Sequence, residues 1–412
     1  MIKSLTNPFR GLRYPVEVGL LAGLAFFLPI VEAPKNILAA FYAIAWIVNR
    51  ARARDWGGRL DAWDALFTLW ITSGLVVAEF AGIHHHEWHG ALDLIRYGTV
   101  LWLVRRSGYG AREFRIVFIT LVASTVIGLI QGYWALAFDP KRVFLQLNSV
   151  GHVNHSAIYL AIMLGAAIGV GAAYWTRLSK SLRVVAVVIA AFLAASLVKM
   201  ESRAALAGGL ACVAALGVSW WPRSRKLASS VIAVSIATVI AILVLRPGVV
   251  EKQERDVAAG DVLSQRGEIW HTALTAWKHN PVFGVGIDNY SRIDLERLET
   301  WQRAAGEPFD AKEYLPYAHA HSLYLNTLAE RGLYGVAILV AVLLAVFVSL
   351  ARGYPRGGAD DDTWAIWAAA AAAWFMTAAA GVFNTTLHHE HAILFSLLAG
   401  FWLTRRNAPA AV

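Results

Sequence analysis

Long apolar runs, separated by short basic or polar breaks, dominate the chain. Each is a candidate for a helix crossing a membrane, which needs about 20 residues at about 1.5 Å rise because unpaired backbone groups are costly in lipid. Such runs lie at 15–31, 35–49, 64–83, 90–105, 115–138, 153–175, 182–198, 203–221, 226–246, 332–351, 363–383 and 389–404, about twelve in all. The pattern predicts an all-α, polytopic integral membrane protein. One stretch, 247–331, departs from it by mixing charges, aromatics, Gly and Pro, and it is too long for a connector. Within it, Ile269, Ala273, Leu274 and Trp277 recur at helical spacing, and Pro281, Gly284 and Gly286 follow as a stop. An amphipathic helix lying on the membrane is expected there, then a turn, then a second helix beginning near His321. The expected organisation is helices one to nine over 1–246, a large helical loop over 247–331, and helices ten to twelve over 332–412. No internal repeat divides it.

Composition sharpens this picture. Hydrophobic residues make up 58% and charged residues only 16%, well below the quarter usual in soluble domains. The aromatics Trp46, Trp102, Trp134, Trp175, Trp220 and Trp221 stand near the ends of the runs, as in interfacial belts. A net charge of +9 could suggest nucleic acid, but Lys and Arg fall in short clusters between apolar runs, so no nucleic-acid partner is expected. Alternate breaks hold the positive charge. Examples are Arg10 with Arg13, Arg50 to Arg59, Arg105 to Arg115, Arg177 to Arg183, Arg223 to Lys226, Arg352 with Arg356, and Arg405 with Arg406. By the positive-inside rule both termini are cytoplasmic and the large loop is on the other side. Residues 1–14 read as the approach to a first helix rather than a removed signal. Cys212 is the single cysteine, so neither an intrachain disulfide nor a cysteine metal site is available.

Candidate chemistry gathers at the ends facing away from the basic breaks. His319 and His321 stand where the large loop re-enters the apolar run, and an imidazole titrating near neutrality can take a proton from a hydroxyl. Interfacial packing against aromatics is the plainer alternative. Arg203 opens one apolar run and Arg266 lies in the loop; each guanidinium offers a planar fork suited to phosphate, or could simply snorkel to the interface. His152, Asn154 and His155 enter another run and are candidates to line a cavity, as is Glu330. The groups His84 to His89 and His388 to His391 lack the spacing of a known metal motif, and no metal is expected. Asp93 and Arg96, one turn apart, read as an ion pair.

Three pieces in order resemble the O-antigen ligase and polymerase superfamily. They are Ser202-Arg203 with the small residues after it; Arg266-Gly267-Glu268-Ile269-Trp270 leading to Pro281-Val282-Phe283-Gly284-Val285-Gly286; and His321-Ser322-Leu323-Tyr324-Leu325 leading to Glu330-Arg331-Gly332. The resemblance covers about a third of the chain by motif and extends to the whole by topology. It implies a bacterial inner-membrane enzyme with a periplasmic loop and a periplasm-facing active site. Its substrates would be an undecaprenyl-pyrophosphate-linked O-antigen donor and a lipid A-core acceptor among membrane lipids. Inverting transfer would need no metal, cofactor or nucleotide sugar. The catalytic histidine would be His321, with His319 as the alternative, and Arg203 and Arg266 would engage the diphosphate. Ser322 stands where the family commonly has Asn, which leaves the choice between the two histidines open. The lack of a soluble domain after the last run favours a ligase over a protein O-oligosaccharyltransferase. The motifs do not separate ligase from polymerase, and a lipid-linked oligosaccharide transporter is the rival from another class.

Overall fold

A computed structural model describes residues 9–81, 83, 88–245, 265–356 and 358–406. Most of the His84 to His89 run and the first part of the large loop, to 264, lie outside the described residues. Among those described there are fourteen α-helices, two short 3-10 turns and no strand. In order the helices are α1 (Pro15–Phe27), α2 (Glu32–Ala53), α3 (Ala62–Phe80), α4 (His89–Arg106), α5 (Ala111–Phe138), α6 (Val153–Tyr174), α7 (Lys180–Lys199), α8 (Arg203–Ser219) and α9 (Arg225–Leu245). The loop contributes α10 (Arg266–His279) and α11 (Leu295–Ala305), and the chain closes with α12 (Leu323–Arg352), α13 (Asp361–Ala380) and α14 (His389–Arg406).

Six of these, α3, α5, α6, α7, α12 and α13, are long and apolar enough by themselves to cross a membrane. The shortfall from about twelve has physical sources. Helices α1 and α8 are apolar but have only 13 and 17 residues. Helices α2 and α4 carry several charges, which are neutralised inside the protein: Arg50 reaches Glu17 at 3.4 Å, and Arg105 and Arg106 hold Asp64 at 3.1 and 2.7 Å. Lys35 pairs with Glu390, both almost wholly buried.

Small residues set the core. Helices α6 and α13 pack so closely that a Cβ on Gly169 would come within 2.6 Å of the Ala368 methyl. Around this pair, α8 packs on both, α4 joins α3 to α14, and α5 leans on α1. Helix α7 is peripheral, with Val184, Val185, Val187 and Val188 turned outward as on a lipid-facing helix.

The basic helix ends gather at one end of the bundle, where Arg115 meets Asp362 at 2.7 Å and Arg177 and Arg223 both engage Asp361. The loop helices stand at the opposite end. There protein covers part of the apolar stripe of α10 that was expected to lie on the membrane, while Leu274 stays exposed. Ile269, Ala273 and Ala276 are buried in a second small core with Val285, Tyr290, Leu298, Tyr314 and Ala329.

The predicted second helix near His321 and the run at 332–351 form one element, α12, broken at Gly332, whose φ of 60° and ψ of −161° are not helical. The segment 281–286 supplies the hydrogen bonds that the break frees. Leu333 and Tyr334 donate to Pro281 and Val282 at 2.9 and 3.1 Å, while Val285 and Gly286 donate to Ala329 and Glu330 at 2.8 and 3.0 Å. Backbones approach so closely that a Cβ on Gly284 or Gly332 would meet the opposing chain at 2.4 or 2.3 Å.

Candidate active site

Four helices begin at one cavity of about 770 Å³ at the loop end of the bundle. His152 caps α6 and, with Asn154, lines the wall; Ser202 and Arg203 open α8; Gln265 and Arg266 open α10; His321 immediately precedes Ser322, the N-cap of α12. Each N-terminus carries the positive end of a helix dipole. Two such ends bear arginine as the first helical residue, a kind of donor set that suits an anion. Deeper along α8 and α13 the wall turns apolar through Ala207, Gly208, Ala211, Phe375 and Ala379. Phe375 also lines a second cavity of about 370 Å³, closed by Cys212, Leu216, Phe347, Trp367 and Trp374.

His321 is held in a left-handed conformation, φ +47°, unusual for a residue with a side chain. Neighbouring hydrogen bonds impose it. Ala320 donates its N–H to Asn326 Oδ1 at 2.9 Å, Asn326 Nδ2 donates to Glu330 Oε2 at 2.9 Å, and Tyr290 donates its N–H to Glu330 Oε1 at 3.2 Å. On the other side Leu323 donates to the Gly381 carbonyl at 2.7 Å, docking the turn on the end of α13. The His321 ring lies 4.5 Å from that of His319 and 5.0 Å from Tyr317. Partial burial, then the neighbouring His319 and Arg266, pushes His321 down to about 4. Burial, with His152 and His389 nearby, does the same to His319. Both are therefore neutral at neutral pH, the form a proton acceptor requires.

The structure brings His321, Arg203, Arg266, His152 and Asn154 to one wall. His319, His155 and Glu330 stand behind it: His319 between the rings of His321 and His155, and Glu330 in the hydrogen-bond chain that shapes the His319 to His321 turn. Asp93 and Arg96 form their pair at 2.6 Å, and Arg96 also reaches Asn36. Sequence reasoning treated His388 to His391 as a separate loop, whereas their rings pack at 5.3 to 5.9 Å around His155. The available signal was that the breaks bearing His155, His319 and His388 to His391 fall on the same expected side. Among the described residues no three His, Cys, Asp or Glu are arranged to hold a metal ion.

Residues 188–340 match the family described as O-Antigen ligase, which spans Arg203, Arg266, His319, His321 and the break at Gly332. Over that region the chain is similar to the O-antigen ligase family, in agreement with the resemblance its motifs carry. A Haemophilus influenzae protein, described as an uncharacterized protein, is 31% identical over 98 residues. That similarity spans 24% of this chain and 22% of the relative.

Proposed function

We propose that the protein is an O-antigen ligase, moving glycan from undecaprenyl pyrophosphate to a lipid A-core hydroxyl on the periplasmic face of a bacterial inner membrane. The observation that carries this reading is the meeting of two arginine-bearing helix N-termini and a neutral histidine on one cavity wall. The pyrophosphate would lie between Arg203 and Arg266, and the adjoining apolar cavity suits the start of a prenyl tail. His321 would take the acceptor proton as the hydroxyl attacks the anomeric carbon from the face opposite the pyrophosphate, inverting it. The guanidiniums would offset charge growing on the leaving oxygen, the kind of interaction that is stronger in the transition state than in the ground state.

A gel of lipopolysaccharide from a strain lacking the gene, beside an assay of undecaprenyl-linked glycan, tests the reading. The expected result is lipid A-core bare of O-antigen with long lipid-linked polymer accumulating. Core carrying single repeat units would make the protein a polymerase. An unchanged ladder would remove the lipopolysaccharide assignment.

A further inference from the structure

Histidines continue inward from the cavity wall. Ring centroids step 4.5 Å from His321 to His319, 5.5 Å to His155, and 5.3 and 5.9 Å on to His391 and His388. Rings at these spacings can be joined through one bridging water. His155 and His391 are more than nine-tenths buried, and His391 adjoins Glu390, which pairs with Lys35 and accepts from Ser149 at 2.9 Å through Oε1. Among the described residues the Nδ1 atoms of His321, His155, His388 and His391 and the Oε2 of Glu390 are buried with no protein hydrogen-bond partner. Buried polar groups are nearly always satisfied, so this many orphaned atoms along one line of rings needs an explanation. Packing alone does not supply one, since apolar rings would fill the space without that cost.

We propose that His319 and His155 relay the proton taken by His321 into this buried histidine group, a role that rests on the glycosyl-transfer reading above. As the acceptor oxygen bonds to the anomeric carbon, its O–H bond breaks and the proton goes to one nitrogen of His321. The carbon–oxygen bond to pyrophosphate breaks, and the leaving group keeps the electron pair. A neutral imidazole has one N–H and one lone pair, so His321 can release its other proton to His319, which passes one on to His155. The charge thus moves away from Arg266 and Arg203 and into the histidine group beside the Lys35–Glu390 pair. When the pyrophosphate product leaves, the chain runs outward and the proton departs on a phosphate oxygen. The other charges facing the group are Lys35, Glu32, Asp93 and Arg96, all near His389.

The test uses the full-length protein in liposomes with lipid-linked glycan and lipid A-core, comparing His155→Phe and His155→Gln with the unmutated chain. The readouts are kcat, the KM of each substrate, and the rate in mixtures of light and heavy water. Both variants should lower kcat about 100-fold, the scale of a lost proton transfer, with KM within about twofold. The curved dependence on deuterium fraction, expected of several protons in motion, should become linear. Full activity in His155→Gln, whose amide can hydrogen-bond but cannot pass a proton through, would overturn the relay. So would a lowered kcat that keeps the curved dependence, which marks a packing role. No transfer by the unmutated protein would overturn the glycosyl-transfer reading and the relay together, and would be seen before any variant is compared.

Discussion

At His321 the backbone is left-handed without a glycine, the ring faces a cavity, and its proton affinity is depressed. Backbone strain of this kind costs about 1–3 kcal/mol and persists only where the surroundings enforce it, here through Asn326, Glu330 and the Gly381 carbonyl. Replacing His321 with Ala should cut transfer by about 100-fold or more while leaving the protein folded, as measured in the liposome assay; near-normal transfer would remove the base assignment. Because His321 is pushed down to about 4, the acid limb of kcat/KM should lie well below the ordinary histidine value of 6.5, and a limb at or above that value would count against it. Stability should follow the same histidines. His319 and His321 bind protons more weakly folded than unfolded, so their contribution is complete above about pH 6.5 and is lost as pH falls toward 4. Arg266→Ala should lower kcat/KM for the pyrophosphate donor by about 100-fold.

Among the elements, α12 decides the geometry of the site. Its break at Gly332 is bonded to the segment 281–286, which makes the two glycine-bearing motifs halves of one joint. The joint ties the end of α10, and through it Arg266, to the turn that bears His321. Arg331, one residue before the break, is buried and donates to Ser73 of α3 at 2.6 Å, anchoring the joint to the bundle. Gly332→Ala should destabilise the protein by about 2 kcal/mol or more, because a side chain at that φ is strained and its Cβ would strike Val282. Thermal unfolding in detergent measures this, and an unchanged midpoint would mean that the joint yields. The apolar stripe of α10 was legible as a helix in the sequence, but what it packs against was not. Periodicity reports that a face is buried and leaves open whether lipid or protein buries it.

For the whole molecule, the charged residues within predicted spans were the feature hardest to read. Lys35 and Glu390 are 355 positions apart, yet they close a buried pair that joins the start of α2 to the start of α14. Removing one partner should cost about 3–5 kcal/mol, because it strands the other charge, whereas replacing both with Met should cost much less. Unfolding of Lys35→Met, Glu390→Met and the double variant distinguishes these outcomes; additive losses would show that the two residues act separately.

That the chain is helical, apolar and alternately basic at its breaks is written in local composition and spacing, and so can be read without the fold. The sequence also marked Arg203, Arg266 and His321 singly, since residue type states what chemistry each could perform. Helix packing alone brings the three to one wall, sets four helix starts there, and gathers histidines from three separate breaks around His155. These facts depend on which helices pack together. That choice is made by small residues such as Gly169 against Ala368 and by distant pairs such as Lys35 with Glu390, whose partners no local pattern names.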